Sequence, residues 1–254
     1  MVFASWRVGW PYGPALWSTH DGGAHWRKIS LGGDIVPSLG GGVAAMATSS
    51  GRVYAVVSPD PFHGKADELY SSPVSRDAWA RAGTMTGDPG AVLAVSGTAA
   101  WFGTSNAETA AGTLWATADG VTWHKYPFRC PGNYFGHPYA LAGIAAASRS
   151  DVAFLCGAAT GMYHTGMEVL VSVNGGRTGH LTAQAPPNGG DVAGFAVPPA
   201  RPAVITIALV SPGPDALYRT ASAGKTWAVI TVPGTGGGTS LSSLAYASPA
   251  TGWS

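Results

Sequence analysis

Leu16-Trp17-Ser18-Thr19-His20-Asp21-Gly22-Gly23-Ala24-His25-Trp26 reads as the end of a strand, a tight polar turn and an aromatic residue opening the next strand. The stretch returns along the chain. Leu114-Trp115-Ala116-Thr117-Ala118-Asp119-Gly120-Val121-Thr122-Trp123 is one residue shorter in the turn. Val169 to Thr178 is a further copy, with Ser172, Asn174 and Gly176 in the turn and Gly179 where tryptophan would stand. Leu217 to Trp227 carries Thr220, Ser222, Gly224 and the closing Trp227. A worn copy begins at Leu69-Tyr70-Ser71-Ser72, followed by Asp77 and Trp79.

The residue types explain themselves. A short Asp or Asn side chain accepts hydrogen bonds from the amides of its own turn, and a Ser or Thr hydroxyl adds another. Glycine supplies the positive φ of a tight hairpin. The tryptophans Trp26, Trp79, Trp123 and Trp227 are expected to pack under their turns, where an indole buries on the order of 200 Å². Asp21 and Asp119 therefore read as structural clasps and not as catalytic acids.

The copies recur at intervals of about fifty residues, the length of a four-stranded propeller blade. Each interval divides into four strands. The first is rich in small residues, as in Val43 to Ala47 and Leu141 to Ala146, and suits an inner position. The second is the most apolar, as in Arg52 to Val57 and Val152 to Cys156, as expected of a strand covered on both faces. The third leads into the recurring turn and the fourth leaves it. The expectation is an all-β propeller in one domain, with blades at about 1–40, 41–88, 89–134, 135–188 and 189–236. Tyr246-Ala247-Ser248 with Gly252-Trp253 repeats the order of Phe3-Ala4-Ser5 with Gly9-Trp10. Residues 240–254 are thus read as the start of a sixth blade, and the chain as incomplete.

The pattern Ser/Thr-x-Asp-x-Gly-x-Thr-Trp resembles the Asp-box, or BNR repeat, of sialidase-like propellers of the WD40/YVTN/BNR-like kind. The match is fullest at Thr19, Asp21, Gly23 and Trp26 and at Thr117, Asp119, Gly120 and Trp123. The alanine-rich, weakly charged style is similar to exported bacterial propeller proteins. The resemblance implies that these turns join strands three and four, on the face opposite the ligand-binding one.

Composition narrows the partners. Of 254 residues, 46% are hydrophobic and only 11% charged, with 37 Gly, 19 Pro and 10 Trp. Gly or Pro interrupts nearly every window long enough for a helix. A net charge of +1 with scattered Lys and Arg excludes the clustered basic footprint that nucleic acid requires. No apolar run reaches the roughly 18 to 20 residues of a membrane span. Met1 to Ser5 lacks the basic start and apolar core of a signal peptide. Cys130 and Cys156 are expected to form a disulfide, which places the protein in an oxidising compartment, secreted or in the cell envelope.

Binding residues belong on the loops opposite the recurring turns. All three glutamates, Glu68, Glu108 and Glu168, fall there, with Asp67 and Asp215 nearby. His63, His137, His164, Tyr134 and Tyr163 complete the candidate ligand face. The histidines lack the tight spacing of a metal site, so neither metal nor cofactor is expected. Glycoside hydrolysis needs two carboxylates about 5 to 10 Å apart. The resemblance to sialidases would further imply three arginines and a Tyr-Glu pair, and no such set stands out. The leading expectation is a non-catalytic, monomeric scaffold that binds protein or glycan. The alternative is a sialidase-like or xyloglucanase-like glycoside hydrolase whose catalytic set is incomplete in this chain.

Overall fold

The computed structural model describes residues 1–32, 37, 40–60, 65–85, 92–106, 108–159, 165–186, 190–210, 215–232, 244–246 and 252–253. Among them the regular structure is entirely β. In chain order the strands are β1 (Val2–Phe3), β2 (Gly9–Trp10), β3 (Leu16–Ser18), β4 (Arg27–Ile29), β5 (Gly42–Ser49), β6 (Arg52–Ser58), β7 (Asp67–Pro73) and β8 (Ala80–Met85). There follow β9 (Val92–Ser96), β10 (Ala99–Ser105), β11 (Ala111–Thr117), β12 (Trp123–Arg129), β13 (Asn133–Tyr134) and β14 (His137–Pro138). The last are β15 (Ala140–Ala146), β16 (Val152–Ala159), β17 (Thr165–Ser172), β18 (His180–Leu181), β19 (Asp191–Ala196), β20 (Ile205–Val210), β21 (Ala216–Thr220), β22 (Ala228–Thr231), β23 (Ala245–Tyr246) and β24 (Gly252–Trp253).

Four sheets hold four strands each in simple sequence order: β5 to β8, β9 to β12, β15 to β18 and β19 to β22. Neighbouring strands are antiparallel, so short hairpins suffice to connect them. The pairs β1–β2 and β3–β4 are linked through Gly9 and Thr19, whose amides and carbonyls exchange hydrogen bonds of 3.0 and 3.2 Å. The likeness between the chain's two ends carries over to pairing. Val2 opposes Trp10 in β1–β2, and Ala245 opposes Trp253 in β23–β24.

The chain packs as two compact units, residues 1–104 with 113–125, and residues 105–112 with 126–254. In the first unit β6 shows why the second strand of each sheet is so apolar. Val53, Ala55 and Val57 enter a core with Trp10, Leu16, Met46 and Tyr70, whereas Tyr54 and Val56 enter another with Leu69, Ala100 and Phe102. Alternate residues of one strand thus fill two separate cores, and each fully buried Val or Leu contributes about 1.5 to 3 kcal/mol. The second unit repeats the arrangement: Leu155, Met167 and Val169 meet Ile205, Ile207 and Leu209.

Three of the small-residue strands share a further feature absent from simple alternation. A bulge falls between Val43 and Ala45, between Leu141 and Gly143, and between Val192 and Gly194. The extra residue is alanine each time, at Ala44, Ala142 and Ala193. A bulge bends and twists its strand and leaves its extra residue unpaired, and here Ala44 and Ala142 turn outward and are exposed.

Candidate functional site

The recurring turns share one hydrogen-bond pattern. The amides of Gly23, Gly120, Gly176 and Gly224 donate to Thr19, Thr117, Ser172 and Thr220 at 2.9, 2.9, 2.9 and 3.0 Å. The next polar residue then accepts from the far side of the turn. Asp21 accepts from the His25 amide at 3.0 Å, Asp119 from Val121 and Thr122 at 2.8 and 2.7 Å, Asn174 from Thr178 at 3.0 Å and Ser222 from Thr226 at 3.1 Å. All four glycines have positive φ, between 74° and 92°. The His25 amide, then the His25 ring and the Thr19 hydroxyl, hold the Asp21 carboxyl far below the ordinary carboxylate range. The amides of Val121 and Thr122, then the Thr117 hydroxyl, do the same for Asp119. Such a carboxylate is a poor proton donor.

Two details differ from the sequence reading. The closing tryptophans are not swallowed by the core: Trp26 is 40% exposed, and Trp79, Trp123 and Trp227 are half-buried. They open outer strands, which have cover on one side only. Trp123 packs edge-on against Tyr54, and Trp227 donates to the Gln184 carbonyl at 3.2 Å. Asp77 does not hold its own turn. There Ser72 accepts from the Ala78 amide at 2.9 Å, while the Asp77 carboxylate reaches across to Ser18, Arg27 and His20 at 2.8, 3.0 and 3.3 Å. Burial pushes the Asp77 carboxyl up, but Ser18, His20, Trp10 and Arg27 outweigh it and the net shift is downward.

The loop residues meet different fates. Glu68 is committed: Arg81 donates to it at 2.8 Å and the Tyr70 hydroxyl at 2.7 Å. Burial first, and Glu68 second, push the Tyr70 hydroxyl up to about 12. Asp67, bonded by Ser58 at 2.6 Å, and Asp215 are both buried. None of the three is an open ligand group: Glu68 is paired, and Asp67 and Asp215 are buried. His63, Tyr163 and His164 lie outside the described residues. Among the described residues no group of three or more His, Cys, Asp and Glu is placed to hold a metal.

The remaining candidates converge in the second unit. Cys130, just beyond β12, is bonded to Cys156 of β16, with a Cα–Cα distance of 5.7 Å. The bond draws residues 130–132 over β17. Gly132 has to be glycine there, since a Cβ would stand 2.6 Å from the Glu168 carboxyl carbon and against the Tyr139 ring. The β13–β14 hairpin follows, turning through Phe135 and Gly136 at φ 49° and 82°. Two positive φ values in a two-residue loop match the twist of the flanking strands. Tyr134 lies over Gly166 and meets Phe135 at 4.5 Å, leaving the Phe135 ring 81% exposed. His137 stands exposed on the partner strand.

Beside this hairpin is a cleft of about 430 Å³, lined by Glu108, Thr109, Arg129, Cys130, Asn133 and Pro138 among others. Its other wall is a turn built on Asn106, whose side chain accepts from the amides of Glu108 and Thr109 at 3.0 and 2.8 Å. Under its floor Glu168 keeps one carboxyl oxygen buried with no hydrogen-bond partner among the described residues. Burial raises the Glu168 pKa, and raises Tyr139 too, with Glu168 adding to the latter. Arg129 and Asn133 were not singled out by sequence. Their one local signal was the Phe135-Gly136 turn pair.

No protein-family model matches this sequence, and no curated protein matches it by sequence. Solved structures do match in shape. An α-L-arabinofuranosidase of the GH93 group from Fusarium graminearum, in complex with arabinobiose, aligns at 14% identity and TM-score 0.54, over 91% of this chain and 76% of that one. The GH74 xyloglucanase from Xanthomonas campestris aligns at 15% and 0.54, over 92% of this chain and 38% of its own. A Trypanosoma rangeli sialidase aligns at 13% and 0.53, over 82% and 39%. The fold is a β-propeller of the sialidase-like kind. At such identities the likeness is one of fold.

Proposed function

We propose that this chain is part of an exported, non-catalytic propeller, five blades and the start of a sixth, that binds a glycan in the Glu108–Arg129–Asn133 cleft. One observation carries the reading. Arg129, Glu108 and Asn133 bring a guanidinium, a carboxylate and an amide to one cleft, and the adjoining disulfide-anchored hairpin carries the exposed ring of Phe135. Fixed polar groups next to an aromatic face are how a protein orients a sugar, with hydrogen bonds to hydroxyls and apolar contact to the ring. The sialidase-like fold and the acting partners named for its structural neighbours, arabinobiose and xyloglucan, favour glycan over protein. The disulfide supports export. The recurring Thr, Asp and Gly residues serve the scaffold on this reading.

Binding is the test. Calorimetric titration with arabino-oligosaccharides, xyloglucan oligosaccharides and sialyllactose should yield at least one ligand whose affinity falls tenfold or more in Arg129→Gln and Phe135→Ala. Retention of full affinity in both variants would refute the site.

A hydrolytic reading has one observation in its favour. Glu168 is a buried carboxyl with raised proton affinity beneath the cleft, the condition of a general acid. Against it, Glu68 is occupied by Arg81 and Tyr70, and Gly132 covers Glu168. Turnover of any of these oligosaccharides, lost in Glu168→Gln, would establish the enzyme.

A further inference from the structure

We infer that the turn end of the first unit carries a second glycan site, selective for sugars that bear a carboxylate. The site is a cleft of about 480 Å³ formed where the first recurring turn meets the turn after β7. Its chemistry follows from which charges are already used. Asp77 is buried to 4% side-chain exposure and accepts from Ser18, His20 and Arg27. Asp21 is bonded by Thr19 and by the His25 ring at 2.9 and 2.7 Å. Asp77 thus spends Oδ2 on Ser18, His20 and Arg27 and keeps Oδ1 buried, without a partner among the described residues and out of a ligand's reach, while Asp21 uses both oxygens inside its own turn. Arg76 also lines the cleft, is exposed, and its guanidinium has no partner among the described residues. The charge left to a ligand is positive.

The aromatic half is adjacent. Trp26 lines the same cleft at 40% exposure, and Trp6 stands 76% exposed beside the turn. The Arg7 guanidinium lies over the Trp6 ring at 4.3 Å, and Gly22 and Gly23 approach the two indoles without a side chain of their own. A Cβ at Gly22 would lie 3.5 Å from the Trp6 carbonyl oxygen and 3.9 Å from its ring, and one at Gly23 3.6 Å from the Trp26 ring. Both glycines sit at positive φ, 79° and 92°, so a side chain is strained there in any case. An indole face such as that of Trp26 receives the apolar face of a pyranose, and a guanidinium in the same cleft binds a carboxylate in bidentate fashion. Simple anions such as phosphate would use Arg76 and leave the indoles idle.

The site is independent of the loop cleft, and the experiment keeps them apart. Calorimetric titration of the whole chain with trigalacturonate should show binding, with the fully methyl-esterified trimer at least tenfold weaker. Arg76→Gln should cost the acid tenfold and the ester nothing, and Trp26→Ala should weaken both. Both residues are exposed, so a thermal melt checks that the variants stay folded. Equal affinity for acid and ester, or no binding of the acid, overturns the inference. Loss in Arg129→Gln with Arg76→Gln intact would move the acid to the loop cleft and overturn it as well.

Discussion

The turn from Thr117 to Trp123 and the cleft from Cys130 to Pro138 are neighbours in sequence and opposites in construction. The turn is closed by residues within four positions of one another: Thr117 on Gly120, Asp119 on Val121 and Thr122. The cleft is assembled from afar, with Cys130 tied to Cys156 and Gly132 pressed on Glu168. A locally closed motif folds the same way wherever it is written, so it can be repeated. A cleft closed by distant partners is made once, and can be particular to a ligand.

The comparison breaks most easily at the disulfide. Replacing Cys130 and Cys156 by alanine should cost about 3.5 kcal/mol on the chain-entropy account of a 26-residue separation, read as a fall in denaturation midpoint. Sugar affinity in the cleft should fall with it. A double variant that binds sugar as well as the parent would show that the hairpin stands unaided.

Asp77 is the exception inside the repeat, because its carboxylate left its own turn to join two others. Asp77→Ala should cost about 1.5 to 3 kcal/mol, the range for hydrogen bonds to a charged group. Thr117→Val, which strips the Gly120 amide of its acceptor in a buried turn, should cost about 1 to 2 kcal/mol. Equal losses from the two would erase the distinction between an inter-turn clasp and a local one.

Charge gives the smaller, signed effects. Glu168 has a folded pKa raised by burial, so its ionisation weighs against folding as pH rises above the unfolded value near 4.3. Glu168→Gln should therefore stabilise the protein at pH 7 and leave it unchanged at pH 4, as melting curves at the two values would show. The local carboxylates run the other way. Asp21 and Asp119 have depressed pKa values, so their contribution is complete above about pH 4 and is lost as pH falls below it. Asp119→Asn should therefore destabilise the protein at pH 7, and its melting curve should approach the parent's as pH falls below about 4.

What the sequence disclosed follows the same division. Thr19, Asp21 and Gly23 announce their turn because hydroxyl, carboxylate and glycine act on amides a few residues away. The strand pattern was legible for a related reason, since β6 fills two cores and must be apolar throughout. Cys130 and Cys156 could be paired because they are the only two cysteines. The cleft was not legible in the same way. Glu68 and Glu168 look alike in sequence, yet one is neutralised by Arg81 and Tyr70 and the other is capped by Gly132. Beyond the Phe135-Gly136 turn pair nothing near Arg129 or Asn133 marks them, because the cleft they line is closed by residues distant in sequence, Glu108 and Thr109 among them. Asp77 was misassigned for the same reason: its spacing is that of the repeat, but its bonds are not.

Binding without turnover is the centre of this account. The most direct measurement takes the oligosaccharide held by the loop cleft, incubates it with the protein in excess for a day, and analyses the sugar by mass spectrometry. The account predicts that the sugar is recovered intact, with affinity set by Arg129. Shortened products from the parent protein, absent with Glu168→Gln, would contradict it.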